Sequence, residues 1–348
     1  NFEVRFSRVL NAMEIAGYRV NKRYLIESAD KFKAMEEMAR IDADRYASRK
    51  LDLFSSKDMT KFLFDEVGLP VIKVSKKTGA PSLDAKTLLL LDSRYGSMEK
   101  KYGTLIKVLP LTVKARNYRK MKATYCDGVV RGLDENNRVH TTFNRGGART
   151  GRLSSSGPNL ENLPNEESTP ISIRQGFIPD IGKLLNILDY SQLELRILAE
   201  FSQDKSMIEG FRLGRDGHSH TAVKILARVG KKVEYDFFQQ VIEDEKHEYH
   251  KEFKFMRRKA KNTSFGVVYG IGEDKLADQI GCTVDEAREF IDLYNEEYPC
   301  IEPFKRDVWK FCRNKGYVVT MSGRRRYIPY INDTNNFYRG SAERSSFN

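Results

Sequence analysis

Residues 182–188, Gly-Lys-Leu-Leu-Asn-Ile-Leu, form a short apolar run that stops at Asp189, and helical spacing begins at Ser191 and continues through Phe201. A run this short, bounded by Gly on one side and a carboxylate on the other, predicts strand, carboxylate, helix. Elsewhere the helical period dominates. Val9, Leu10, Met13 and Ile15 recur at helix spacing, and the spacing predicts long helices over 22–50 and 84–122. Between them lies a tip of turn formers and charge: Ser55, Ser56 and Lys57, then Lys76, Lys77, Thr78, Gly79, Ala80 and Pro81. Residues 205–315 are again helical, with Thr283 and Glu286 spaced as a capping box, and 317–331 predict a hairpin turning at Ser322-Gly323. The stretch 138–164, rich in Gly, Ser, Thr, Asn and Arg, predicts a long functional loop. The expected class is α+β, mostly helical.

Charge narrows the partners. The 348 residues carry 60 Lys and Arg against 48 Asp and Glu, a net charge of +12 that favours phosphate-bearing partners such as nucleic acid, or an anionic membrane surface. An apolar fraction of 40% supports real cores. No segment approaches the roughly 18 uninterrupted apolar residues of a membrane span. A soluble protein without a secretory leader is therefore expected. Cys126, Cys282, Cys300 and Cys312 form no C-x-x-C pair, so neither a zinc site nor a disulfide framework is indicated, and reduced thiols in a cytosol-like compartment are expected.

Two features could carry chemistry. Phosphoryl transfer with two divalent cations needs hard oxygen ligands on a rigid element, which a strand-end Asp189 would supply. The same residue could simply begin a turn. Glu194 lies five residues on, and Ser191-Gln192-Leu193-Glu194 also fits a capping box, leaving cap and function open. The second feature is a stripe: Arg257, Lys261, Phe265 and Tyr269 recur every four residues, about 6 Å of helix rise apart. Cations of this kind neutralise a triphosphate and rings stack a base, although an ordinary amphipathic helix has the same spacing. Gly266 and Gly270 beside the rings lower helix propensity and suggest close packing.

These strings resemble family A (polymerase-I-like) DNA polymerases. Asp189-Tyr190-Ser191-Gln192-Leu193-Glu194-Leu195-Arg196 looks like the family's first catalytic motif, and Arg257-Arg258-Lys259-Ala260-Lys261 through Tyr269-Gly270 looks like its nucleotide-binding helix. Thr150-Gly151-Arg152-Leu153-Ser154-Ser155 with Pro158-Asn159-Leu160 is similar to the primer-template loop, and Gly323-Arg324-Arg325 with Ala342-Glu343-Arg344 to later palm segments. The resemblance covers nearly the whole chain and implies a right-hand polymerase with an antiparallel palm sheet. Its expected parts are a palm-associated segment 1–20, thumb 21–125, palm 126–202, fingers 203–320 and an incomplete palm segment 321–348. The implied activity is template-directed DNA synthesis, with primer-template DNA and deoxynucleoside triphosphates as partners and two Mg2+ ions, or Mn2+ in their place, as cofactors. Bacterial, phage-infected, mitochondrial or plastid settings all fit it.

The resemblance assigns Asp189 and the Tyr190 carbonyl to metal, and Lys261 and Arg257 to the phosphates, with Lys261 as proton donor to the departing pyrophosphate. Gln192 and His218 join the nucleotide set, Phe265 packs on sugar and base, and Tyr269 holds the template stacking position while buttressing Glu194 against a ribose 2′-hydroxyl. Lys122, Thr150, Arg152, Asn159, Arg344 and Asn348 become DNA contacts. Glu161 departs from a common Gln and Ser264 from a usual Asn. A second catalytic carboxylate is expected from a His-Asp-Glu motif, and no His-Asp dipeptide occurs in these residues. A further palm segment is thus expected, on a longer or a second polypeptide. The alternatives are a DNA-binding, catalytically incomplete module and a single-subunit RNA polymerase, the latter disfavoured by Glu194.

Overall fold

The computed structural model describes residues 2–75, 78–148, 150–165, 169–228 and 230–347, with side chains from Val4 onward. The chain divides into two units, Asn1–Ile187 and Leu188–Asn348.

In the first unit α1 (Phe2–Ala16) and β1 (Tyr18–Arg19) lead into α2 (Lys22–Ala47). The Asn21 side chain accepts the Tyr24 amide at the start of α2, and Ser48 ends it in the left-handed conformation. Leu25, Ala29, Phe32, Ala39 and Ala43 form the buried stripe of α2, and the helix serves two cores with it. Next come α3 (Ser56–Thr60), running into a π-helical turn at Lys61–Glu66, then α4 (Ala85–Tyr95), α5 (Glu99–Tyr102) and α6 (Val108–Lys120). A second π turn, Met121–Cys126, leads to α7 (Asp127–Arg131). The predicted helices over 22–50 and 84–122 are thus present, the second in three pieces. Phe62, Leu63, Leu88, Leu91, Ile106 and Leu109 are wholly buried between them, each worth about 1.5–3 kcal/mol by transfer from water. Arg116 pins this core by donating to the Leu53 and Leu83 carbonyls, both at 2.8 Å.

The stretch expected to be one long loop contains short strands. β2 (Arg138–Val139) pairs antiparallel with β1, and β3 (Thr142–Asn144) pairs with β4 (Ser154–Ser156), Phe143 standing opposite Ser155. Polar side chains hid the pairing because only Ser155 of β4 turns inward. Lys76 and Lys77 lie outside the described residues; beside them Val74 and Pro81 form an antiparallel bridge.

The second unit is a helical body: α8 (Leu193–Ser202), α9 (Lys205–Arg212), α10 (Gly217–Arg228), α11 (Tyr235–Glu243), α12 (His250–Val268), α13 (Glu273–Ile280), α14 (Val284–Glu297) and α15 (Ile301–Lys315). The hairpin β5 (Tyr317–Val319) and β6 (Arg325–Tyr327) follows, then α16 (Asn336–Ser345). The Thr283–Glu286 capping box forms as expected, and so does the hairpin, with Val318 opposite Arg326. One core joins α10 to α14 through Ile225, Phe238, Phe253, Ala260, Leu276 and Phe290. Another gathers Leu195, Leu198, Val267, Tyr294, Tyr298 and Ile301.

One local expectation fails. Residues 182–188 form no strand: among the described residues nothing pairs with them, and Leu184, Ile187 and Leu188 are 87%, 84% and 94% exposed. A strand is stable only with a neighbour to take its amides and carbonyls. The apolar run shows what the segment could bury, and the backbone into Asp189, without regular secondary structure, lacks the ladder that would fix it as a strand.

Candidate functional site

Within the second unit three side chains tie the Asp189 segment to the rest. Gln192, in the left-handed conformation at φ 53°, ends the approach to α8. Its Oε1 accepts the Gly217 amide at 2.8 Å, at the first residue of α10. Glu194 makes no cap: it sits in the first turn of α8, and its Oε2 accepts the Tyr269 hydroxyl at 2.9 Å. The capping box that the spacing allowed does not form, because a partner 75 residues away takes the carboxylate. Arg196 closes the turn by donating to the Ser191 carbonyl at 2.9 Å. Asp189 itself is exposed and, three residues before Gln192, lies within about 11 Å of it by chain reach alone.

The stripe is real and its helix sorts the two faces. On α12 Ala260, Thr263, Ser264, Gly266 and Val267 are buried, so the cations and rings occupy the other side. Arg257 is half-buried and meets Asp216 through Nε at 3.2 Å and Nη2 at 2.9 Å, with Ser219 Oγ a further acceptor at 3.2 Å. Burial would raise the Asp216 carboxyl, but Arg257 and the Ser219 amide hold it below the usual carboxylate range. Lys261 is exposed one turn on. Phe265 and Tyr269 stack with centroids 6.4 Å apart and planes 9° from parallel. Both glycines have a steric reason: a Cβ on Gly266 would stand 2.5 Å from Ile271 Cγ2, and Gly270 has φ +67°. Arg344 approaches the same corner, its Cγ 3.5 Å from where a Cβ on Gly270 would be.

His218 completes the group. Its ring lies 5.5 Å from Phe265, and its buried Nδ1 has no hydrogen-bond partner among the described residues. Burial, with help from Arg257 and Lys261 and against Asp216, pushes the imidazole down to about 4. The neutral ring therefore persists through neutral pH. Because the folded value lies below the ordinary 6.5, the stabilisation is complete above pH 6.5 and is lost as pH falls toward 4. That difference corresponds to roughly 3 kcal/mol. Replacing His218 by Gln is expected to flatten this part of the stability profile, measured as melting temperature against pH for both proteins; parallel profiles would refute the assignment.

The sequence reading missed Asp216, although its spacing to Ser219 is an N-cap signature: Asp216 Oδ1 accepts the Ser219 amide at 2.7 Å at the start of α10. Of the expected DNA contacts, Lys122, Thr150, Arg152 and Asn159 belong to the first unit. Lys122 Nζ is paired with Asp127 at 2.5 Å. Asn159 Oδ1 accepts from Ser155 Oγ at 3.1 Å, and the same hydroxyl receives the Leu160 and Glu161 amides, so this loop is internally braced. Thr150 is half-buried and Arg152 exposed. Asn348 lies outside the described residues. Ser264 is buried and donates to the Ala260 carbonyl of its own helix at 2.8 Å. The Asp189 carboxylate and Tyr190 carbonyl are hard oxygen donors of the kind magnesium takes; among the described residues no group of three or more His, Cys, Asp or Glu could hold a metal.

The described residues thus form helices with small antiparallel sheets, and the Asp189 segment is tied to Tyr269 at the end of the helix that carries Arg257, Lys261 and Phe265. The model of DNA polymerase family A matches residues 22–348. The chain belongs to that family. It is 36% identical over its whole length to DNA polymerase I of Caldicellulosiruptor bescii, covering 37% of that protein. It is 35% identical to the thermostable DNA polymerase I of Thermus aquaticus over 98% of its own length and 38% of the relative's. The chain thus spans little more than a third of these relatives. Among solved structures it resembles the POL domain of Pol1 from M. smegmatis, in complex with DNA primer-template and dNTP, with TM-score 0.82 and 31% identity over 99% of this chain and 56% of that one. The fold is that of the family, and no helix among the described residues is long and apolar enough to cross a membrane.

Proposed function

We propose that the chain performs template-directed DNA synthesis, adding deoxynucleoside triphosphates to a primer 3′ end. The observation that carries this reading is the double tie of the Asp189 segment, through Gln192 to α10 and through Glu194 to Tyr269 at the end of the stripe. Membership of the polymerase family and the likeness to a domain that holds primer-template and dNTP support it. In this reading residues 21–125 are the thumb, 126–202 the palm, 203–320 the fingers, and 1–20 and 321–348 further palm segments.

The triphosphate lies along α12 with its phosphates at Arg257 and Lys261 and its sugar and base at Phe265. His218, neutral and with its Nδ1 unsatisfied, donates to a phosphate oxygen. As the primer 3′-hydroxyl gives its proton to solvent and its oxygen bonds to the α-phosphorus, the bond to the β-phosphate breaks and Lys261 Nζ passes a proton to the departing pyrophosphate. Two magnesium ions, when bound, neutralise the charge that develops on the transferring phosphoryl group. Asp189 and the Tyr190 carbonyl would hold such ions from one side, and a second carboxylate would be needed to complete the site. Arg152, Asn159, Lys122, Thr150, Arg344 and Asn348 contact primer-template DNA. Glu194, fixed by Tyr269, stands where a ribose 2′-hydroxyl would project, which favours deoxynucleotides and speaks against an RNA polymerase.

A primer-extension assay on the polypeptide containing this chain tests the reading: magnesium-dependent, template-directed extension is expected, and its absence would defeat the proposal. Phe265→Tyr probes the placement of the sugar. A new hydroxyl beside the phosphates can replace the missing 3′-hydroxyl interaction, and dideoxynucleotide incorporation is expected to rise on the order of 10- to 100-fold. Unchanged discrimination would move Phe265 off the sugar.

A further inference from the structure

Lys305 is the only lysine or arginine buried among the described residues, 5% exposed on α15. Its Nζ donates to the Val267 carbonyl of α12 at 3.1 Å and pairs with the half-buried Glu302, one turn back on its own helix. That carbonyl lies where α12 ends. Tyr269 caps the helix, and Gly270, at φ +67°, turns the chain away. The Gly270 amide donates to the Val267 carbonyl at 3.1 Å, and the Ile271 amide to the Gly266 carbonyl at 2.8 Å. The two bonds make a Schellman motif. Lys305 adds a charged donor to the same carbonyl, at the negative end of the helix dipole.

Stability alone does not account for this ammonium. Withdrawing a charge from water offsets most of what its bonds return, and an apolar side chain of the same length would pack as well. What the charge adds is direction, since it fixes the last turn of α12 to α15. Further along α15 the Trp309 Nε1 donates to the Glu343 carbonyl at 3.3 Å, and Arg313 pairs with the Glu343 carboxylate, so the support is itself anchored. The side chain that the last turn of α12 presents is Tyr269, whose hydroxyl donates to Glu194 Oε2 at 2.9 Å. Groups that select a substrate must be held within about 0.5 Å by the residues behind them. We infer that Lys305 is a positioning residue for sugar selection: by holding the end of α12 it keeps Tyr269, and through it Glu194, in place against a ribose 2′-hydroxyl. The inference rests on the proposed reading of Glu194 and adds a residue that acts through two others.

The test compares the parent polypeptide containing this chain with Lys305→Met, which keeps the length and removes the charge. The readout is kcat/KM for dCTP over that for CTP, opposite guanine in a primer-template. This ratio is expected to fall at least ~10-fold through a rise for CTP, the size of one lost charge-assisted hydrogen bond. Tyr269→Phe alone should also lower the ratio. Adding Lys305→Met to it should change the ratio less than ~2-fold, because the route to Glu194 is already cut. A second measurement needs no activity: in the 348-residue chain, amide hydrogen exchange at Gly270 and Ile271 should quicken at least ~10-fold in Lys305→Met, while exchange in α14 stays as in the parent. The inference is overturned if Lys305→Met keeps the parent's ratio, if dCTP and CTP efficiencies fall together, if its effect persists in full beside Tyr269→Phe, or if exchange at the two amides is unchanged. It is equally overturned if neither Lys305→Met nor Lys305→Leu folds, which would make the lysine a residue of stability. A parent that extends no primer defeats the proposed function and this inference with it, whereas a parent that extends and discriminates leaves that function standing whatever Lys305 does.

Discussion

Asp189→Asn is expected to reduce magnesium-dependent primer extension by at least ~10³-fold while leaving the melting temperature of the protein unchanged. The two halves of this expectation have different origins. The side chain is exposed on a segment without regular secondary structure, so replacing it should remove little packing and leave no buried group unpaired. Asparagine keeps the shape but loses the negative charge that holds a hard cation, and several kcal/mol of transition-state stabilisation go with it. At about 1.4 kcal/mol per factor of ten, a loss near 4 kcal/mol gives the stated effect. The measurement is single-turnover extension of a labelled primer across a magnesium titration. Extension that survives with the parent's metal dependence would remove Asp189 from the reaction, and with it the central claim of the proposed mechanism.

Lys261→Ala should be the next most severe change, lowering the rate of nucleotide addition by about 10²- to 10³-fold. Two contributions disappear together: a cation facing the charge that develops on the phosphates, and a proton for the leaving group, worth about 10²-fold or more. The residue is exposed on α12, one turn from Arg257, so the fold should tolerate the change. Lys261→Arg separates the contributions. It restores charge at a group that does not release its proton near neutral pH, so nucleotide affinity should recover while the maximal rate does not. Full recovery of the rate would show that Lys261 acts by charge alone.

The sequence disclosed those features whose cause is local. The Thr283–Glu286 box and the hairpin turning at Gly323 are decided by residues a few positions apart, and both form. The Arg257–Tyr269 stripe was equally legible, since one helix carries all of it apart from Tyr269, its C-terminal cap. Distant partners explain the rest. Ser191 and Glu194 have cap spacing, yet Tyr269 claims the carboxylate. The apolar run before Asp189 has strand composition, yet a strand needs a neighbour that no local pattern supplies. Asp216 escaped notice because its cap role is common, and only the fold shows it also gripping a residue 41 positions away. The strands of the 138–164 stretch escaped because their side chains are nearly all polar.

The grip of Asp216 on Arg257 also sets a threshold for ligands. With no anion bound, the guanidinium fork already has an internal counter-ion, so an incoming group gains only the difference between its own attraction and the one it replaces. A singly or doubly charged phosphate has little surplus to offer in that exchange. In the proposed reading, a polyanion that engaged Lys261 and His218 as well would offset that cost, and the internal carboxylate would keep small anions from occupying the helix.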